Sequence, residues 1–213
     1  MFQAMTDGAT SAQARRLPPA QRRAQLAKAA LAVAAQQGYA KLSLDEVAAR
    51  AGVTRNLLYH YFPRGRLDVF LAALELAGEE LTGDFIVAPD QPVAERLAAN
   101  TLQSIEHAAR QSDAWLVVRH ARAAAEPEIL ALRDRYRDVI VEGIALNHFG
   151  TADPPPLARV ALRAFVDFHQ TALDESRESG VDRDTLVKLL ESTLLATVDA
   201  ARAATNRTPA PRG

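Results

Sequence analysis

The 213-residue sequence predicts an all-α fold, with a small three-helix helix-turn-helix unit at the N-terminus and a larger helical unit after it. Apolar residues recur at helical intervals along most of the chain, with no alternating strand pattern and no internal repeat. Residues 44–63, LDEVAARAGVTRNLLYHYFP, set a helix, a glycine turn and a second helix in succession. Proline and glycine punctuate the remainder: Pro127 stands at a helix start, Pro154-Pro155-Pro156 in a loop and Gly180 just past a helix end. The expected organisation is a flexible tail over 1–17, the helix-turn-helix unit over 18–65, a helical domain over 66–205 and a flexible tail over 206–213.

Each element has a local reason. The first helix is expected over about 19–37 from its apolar period. Ser43, with Glu46 three residues on, reads as a capping box that starts the second helix. Val47 and Ala51 supply its inward face, Ala48 is small where two helices cross, and Val53 fills the angle between them. Gly52 falls where the chain reverses, because the left-handed conformation there costs a residue with a Cβ about 1 kcal/mol or more. Thr54 is a natural N-cap for a third helix over about 55–62. A fourth helix over about 66–81 connects the two halves, and a loop with Gly83, Pro89 and Pro92 follows. Further helices are expected over about 93–110, 114–124, 127–148, 157–178 and 183–204.

The third helix carries the chemistry. With Leu58, Tyr61 and Phe62 inward, the 3.6-residue period leaves Arg55, Asn56, Tyr59 and His60 outward and Leu57 near the edge. Arg55 suits bidentate bonding to guanine, Asn56 to adenine, Leu57 contact with a thymine methyl, and Tyr59 and His60 phosphate contact. The free N–H groups at the helix start also favour phosphate. Patterning alone leaves an alternative, a helical hairpin packed inside an ordinary all-α domain.

From Ala27 to about Leu74 the chain resembles the DNA-binding domain of TetR-type regulators. The matching pieces are Gln37-Gly38-Tyr39, Leu42-Ser43-Leu44, Glu46 through Val53, and Leu58-Tyr59-His60-Tyr61-Phe62. The resemblance implies DNA contact by Ser43, Thr54, Arg55, Asn56, Leu57, Tyr59, His60, Arg64 and Arg66. Two positions depart from the family pattern. Asn56 stands where a small residue is common, and Gly65, between Arg64 and Arg66, stands where the next helix commonly begins with Lys. The second departure removes one expected phosphate contact, for which Arg64 or Arg66 is the replacement.

Charge agrees independently. Residues 1–66 carry ten Lys or Arg against three Asp or Glu, and the remainder carries 15 against 23, so a formal charge of −1 hides a +7 part and a −8 part. A basic N-terminal part supplies salt-dependent attraction to duplex DNA, while the acidic remainder is repelled by it. Arg15, Arg16, Arg22 and Arg23 read either as a short arm on the duplex or as a solvated tail. With no cysteine there is no disulfide, thiol nucleophile or thiolate-ligated metal. No run of some twenty apolar residues and no signal-peptide pattern is present, so a cytoplasmic protein without a membrane partner is expected.

In the last two helices, Leu157, Ala161, Ala164, Phe165, Phe168 and Ala172 form one stripe, and Leu186, Leu189, Leu190, Thr193, Leu194, Thr197 and Ala201 another. Val160, Val187 and Leu195 widen the apolar arc, which suggests burial on more than one side. The resemblance implies that these helices pair with their copies in a homodimer, with Phe165, Phe168, Leu186, Leu190, Leu194 and Thr197 at the interface. Packing within one chain is the alternative. The resemblance also implies a small-molecule effector held among the middle helices. Candidate lining residues are Phe85, His107, Trp115, Arg119, His120, Tyr136, Phe165 and His169, with a core role for Trp115 and an exposed ion pair for Arg119 as the plainer readings.

The expected function is therefore a repressor that binds a palindromic operator in double-stranded DNA as a homodimer and is released by an effector, with no cofactor. The other classes weighed are an enzyme and a helical binding protein with an idle DNA head. No GxSxG, HExxH or phosphate-binding glycine loop appears, and Asp167 and His169 point to different faces of one helix. No two histidines stand at i, i+3 or i+4, which argues against a metal.

Overall fold

The computed structural model describes residues 17–88 and 90–207. Arg15, Arg16, most of the expected N-terminal tail and residues 208–213 lie outside them. Among the described residues the chain forms nine helices: α1 Pro19–Lys41, α2 Leu44–Arg50, α3 Arg55–Tyr61, α4 Arg66–Gly83, α5 Val93–Arg110, α6 Asp113–Arg122, α7 Pro127–Phe149, α8 Pro156–Ser179 and α9 Arg183–Arg207.

Helix ends follow the local chemistry with small differences. The first helix runs past its expected end in name only, because Gly38 inside it has φ 67° and breaks the helical path. A left-handed residue there turns the chain toward α2. Gly83, expected in the loop, is the last residue of α4, and α9 continues through 207 instead of ending near 204.

The head, α1 to α4, is held by one core. Leu26, Val33, Val47, Leu58, Phe62 and Phe70 are each at most 1% exposed, and the cluster continues without a break into Ala114, Val117 and Ala121 of α6 and Ile129 of α7. Tyr39 meets Phe70 edge-on with ring centroids 5.3 Å apart. The long helix α1 packs on α6, and α4 packs on α6 and α7, so the head is fused to the body along two helices. In the body, α8 pairs with α9, α7 lies on α8, and α5 lies on α9. Its core is divided: Leu97, Ile144, Phe165, Val166 and Leu194 belong to one cluster, and Ile105, Trp115, Leu173, Leu186 and Leu190 to another.

A candidate DNA-binding head, a body cavity and an outer groove

The helix-turn-helix is assembled from caps at both ends of both short helices. Ser43 Oγ accepts from the Glu46 N–H at 3.3 Å, and Thr54 Oγ1 accepts from the Leu57 N–H at 3.3 Å. The reciprocal half of the capping box is made differently from expectation. Gln37 Oε1 accepts from the Ser43 N–H at 2.8 Å, while Gln37 Nε2 donates to Glu46 at 2.5 Å, so a residue of α1 completes the box. Gln25, also on α1, donates to the Ala51 carbonyl at 2.9 Å and closes the end of α2. Gly52 has φ 66°, as the turn requires.

With Leu58 and Phe62 buried to 1% exposure, α3 presents Arg55, Asn56, Tyr59 and His60 to solvent and Leu57 at its edge. Arg55 is held against Asp45 at 2.8 Å and over the Tyr59 ring at 5.7 Å. Both partners are exposed, so the pair is weak and leaves the guanidinium free to exchange partners. Arg64 is bonded to Asp68 at 2.7 Å and to Glu128 of α7 at 3.0 Å, and Arg66 donates to the Ala40 carbonyl at 3.1 Å. These two guanidiniums stitch the start of α4 to its surroundings. Arg22 and Arg23 lie in the opening turns of α1, where Arg22 donates to Gln25 and Arg23 donates to the Tyr61 carbonyl at 3.3 Å while covering the Phe62 ring.

Where the two body clusters meet lies a cavity of about 150 Å³. Phe85, His107, Trp115, Phe165 and His169 line it, as the sequence reading expected. Three other candidates sit elsewhere. Arg119 lies outside the cavity. His120 reaches the head, with Nε2 3.1 Å from the Ala35 carbonyl and its ring against Gly38. Tyr136 borders a separate cavity of about 60 Å³ and packs on Gly78 of α4.

The polar part of the wall was not foreseen. Arg96 is 4% exposed and donates to the carbonyls of Ala88 at 2.8 Å and Asn147 at 3.0 Å. Asn100 clamps both backbone groups of Ile86, and Asn147 donates to the same Ile86 carbonyl at 2.9 Å. Ser104 Oγ stands 3.1 Å from His169 Nε2. Burial pushes the His169 pKa down to about 4, so the ring is neutral at pH 7. His148 is also lowered, first by burial and then by the charges of Arg202 and Arg96. Three buried polar atoms on residues of this wall have no partner: Arg96 Nε, Trp115 Nε1 and Asn147 Oδ1.

The outer surface of α8 and α9 forms an open apolar groove lined by Leu157, Ala161, Ala164, Phe168, Thr193 and Thr197. Elsewhere on these two helices Val160 is 65% exposed and Leu195 42%. Phe168 and Thr197 thus lie where an interface was expected. Leu186, Leu190 and Leu194, placed at an interface by the sequence reading, are instead at most 5% exposed within a single chain. Their side of α9 is consumed against α5 and α8, whereas Phe165 lies between the two sites and lines both the cavity and the outer groove. Among the described residues, no group of three or more His, Cys, Asp or Glu side chains is placed to hold a metal ion, and no helix is long and apolar enough to cross a membrane.

Residues 26–73 match the family model described as bacterial regulatory proteins, tetR family, over the same stretch that builds the head. Residues 26–73 thus form a TetR-type DNA-binding head. A curated relative, the HTH-type transcriptional activator FasR of Mycolicibacterium smegmatis, is 43% identical over 60 residues, a match that spans 28% of this chain and 27% of that one. Solved TetR-family structures extend the likeness in fold to the body. A TetR-family transcriptional regulator from Streptomyces coelicolor superposes with a TM-score of 0.74 at 24% identity, covering 88% of this chain and 85% of that one. The multidrug binding protein EbrR, complexed with imidazole, superposes with a TM-score of 0.65 at 21% identity, covering 90% and 98%. The TetR-type head and the all-α body of the sequence reading both stand.

Proposed function

We propose that this chain is a TetR-family, homodimeric, ligand-responsive regulator of transcription, a repressor that occupies a two-fold symmetric operator and is released by a small molecule. The exposed outer face of α3 carries the reading. Arg55, Asn56, Tyr59 and His60 are kept off the core by Leu58 and Phe62, and together they have the chemistry of base and phosphate contact. Ser43 and Thr54 set the N-termini of α2 and α3, where free N–H groups suit phosphates. Arg64 and Arg66 take up the electrostatic role at the start of α4.

The groove on α8 and α9 supports the dimer. An apolar surface of that kind is unusual on a monomer, and a two-fold pairing across it presents two α3 helices to half-sites about 34 Å apart or a multiple of that spacing. The body cavity supports an effector site. Two helices lead from it to the head: α4, and also α6, where Trp115 on the cavity wall and His120 against α1 lie on one rigid element. A ligand acts only if it binds the arrangement of heads that cannot hold DNA better than the one that can, and DNA must then weaken the ligand by the same factor.

The test is selection of fragments of the source genome by the purified protein at moderate salt, followed by sequencing. The expected result is enrichment of one two-fold symmetric motif, located over promoters for a repressor and upstream of them for an activator. No enrichment at any salt concentration overturns the reading.

A further inference from the structure

The cavity's wall narrows the chemical class of its occupant, an inference that rests on the effector-site reading above. We propose that the body cavity takes a small monocarboxylate with a compact apolar body, and that Arg96 is its counter-ion.

Charge is the first argument. Arg96 is a permanent cation, 4% exposed, on the wall of a cavity otherwise lined by Leu, Ile, Val, Phe and Trp side chains together with Asn, Gln, Ser, Thr and His, with no carboxylate among them. Among the described residues its only bonded partners are two backbone carbonyls, and none of the ion pairs includes it. Its Nε–H has no acceptor. Desolvating a guanidinium costs several kcal/mol, which neutral carbonyls offset only in part. Nor do the neighbours supply the missing negative charge. Asp84 is not part of the wall and stands half-exposed, 3.2 Å from His107, and His169 and His148 are both held toward the neutral form. A cationic ligand is repelled by this wall, and a dianion is over-matched by one guanidinium.

Geometry is the second argument. A carboxylate accepts two parallel N–H bonds from the edge of a guanidinium, a pairing that an unpartnered Nε–H leaves open. Trp115 Nε1 is a second buried donor without an acceptor. The one unpartnered acceptor, Asn147 Oδ1, carries no net charge and does not outweigh Arg96. Size sets the body: a dry cavity of about 150 Å³ in another protein holds benzene, so the apolar part has roughly six to eight carbon atoms.

Trp115 is the only tryptophan and lines the cavity, so its emission reads occupancy with no DNA present. Full-length protein is titrated with benzoate, cyclohexanecarboxylate and hexanoate, each against its own amide. At least one acid is expected to give a saturable change and to bind about tenfold or more tighter than its amide, and Arg96→Gln is expected to erase that preference. Equal affinity for acid and amide, a preference that survives Arg96→Gln, or no saturable binding by any of the three acids overturns the proposal. If Arg96→Gln fails to fold, the acid-against-amide ratio in the unaltered protein still decides. A labelled duplex then separates the two readings. An acid that binds without disturbing the duplex leaves this inference standing and removes the effector role. Release of the duplex by neutral ligands alone does the reverse.

Discussion

In the head, Leu26, Val47, Leu58, Phe62 and Phe70 close a single core with almost no residual exposure, whereas the body divides its core into two clusters and leaves a cavity between them. The polar groups divide in the same way. Buried ends in the head are satisfied by specific caps, Gln37 on Ser43 and Gln25 on Ala51, while the body keeps Arg96, Trp115 and Asn147 each with an atom unpartnered. A surface that reads DNA must hold its side chains in a fixed frame, and tight packing supplies that frame. A site that responds to a small molecule must be incomplete without it. On the proposed function the difference in packing is a difference in task, and α4 and α6 belong to both regions.

The largest effect should come from emptying the closed core. Phe70→Ala should cost about 3–5 kcal/mol in urea unfolding, whereas Phe165→Ala, on the cavity wall, should cost clearly less because its ring already lacks neighbours on one side. Equal losses would erase the distinction between the two regions. Acid comes next. Above pH 6.5 both folded and unfolded chains hold His169 neutral; below it the unfolded chain takes up a proton that the folded chain refuses until about pH 4. Stability should therefore fall as pH drops through this window, by up to about 3 kcal/mol, and His169→Gln should flatten the dependence measured by unfolding at pH 7, 6 and 5.

Two smaller substitutions sharpen the contrast. Gly143→Ala places a Cβ 2.6 Å from the Phe85 ring, so the ring must shift toward the cavity. A net loss of about 1–2 kcal/mol is expected, because helix propensity returns part of the strain, together with weaker ligand titrations through Trp115. Gln37→Ala should cost about 1 kcal/mol by unfolding and weaken DNA binding without changing ligand affinity, since it loosens only the capping of α2.

Much of this was legible in the sequence where a residue type has one structural use. Ser43, Thr54 and Gly52 marked the helix-turn-helix, Pro127 and Gly180 the helix ends, and the period of α3 its outer face. The body was harder to read for a physical reason. On α9 the apolar arc is so wide that Leu186, Leu190 and Leu194 were indistinguishable from the exposed Leu189 and Leu195, and only their contacts with α5 and α8 separate them. Arg96 follows Glu95 and Asn147 precedes His148, so residue type alone did not distinguish buried cavity groups from solvated ones. A charged residue on the apolar side of the amphipathic helix α5, in line with Leu97 and Thr101, was the one available signal. His120 looked like a ligand contact because spacing along α6 does not reveal that its far end reaches the head.

The claim that α3 reads bases is tested most directly by measuring affinities of the unaltered protein and Arg55→Ala for a full set of single-base variants of the selected operator. A loss of about 1–3 kcal/mol on the parent site, with discrimination relaxed at one position in each half-site, is the predicted result. An unchanged ranking of the variants, with all affinities lowered equally or not at all, would contradict it.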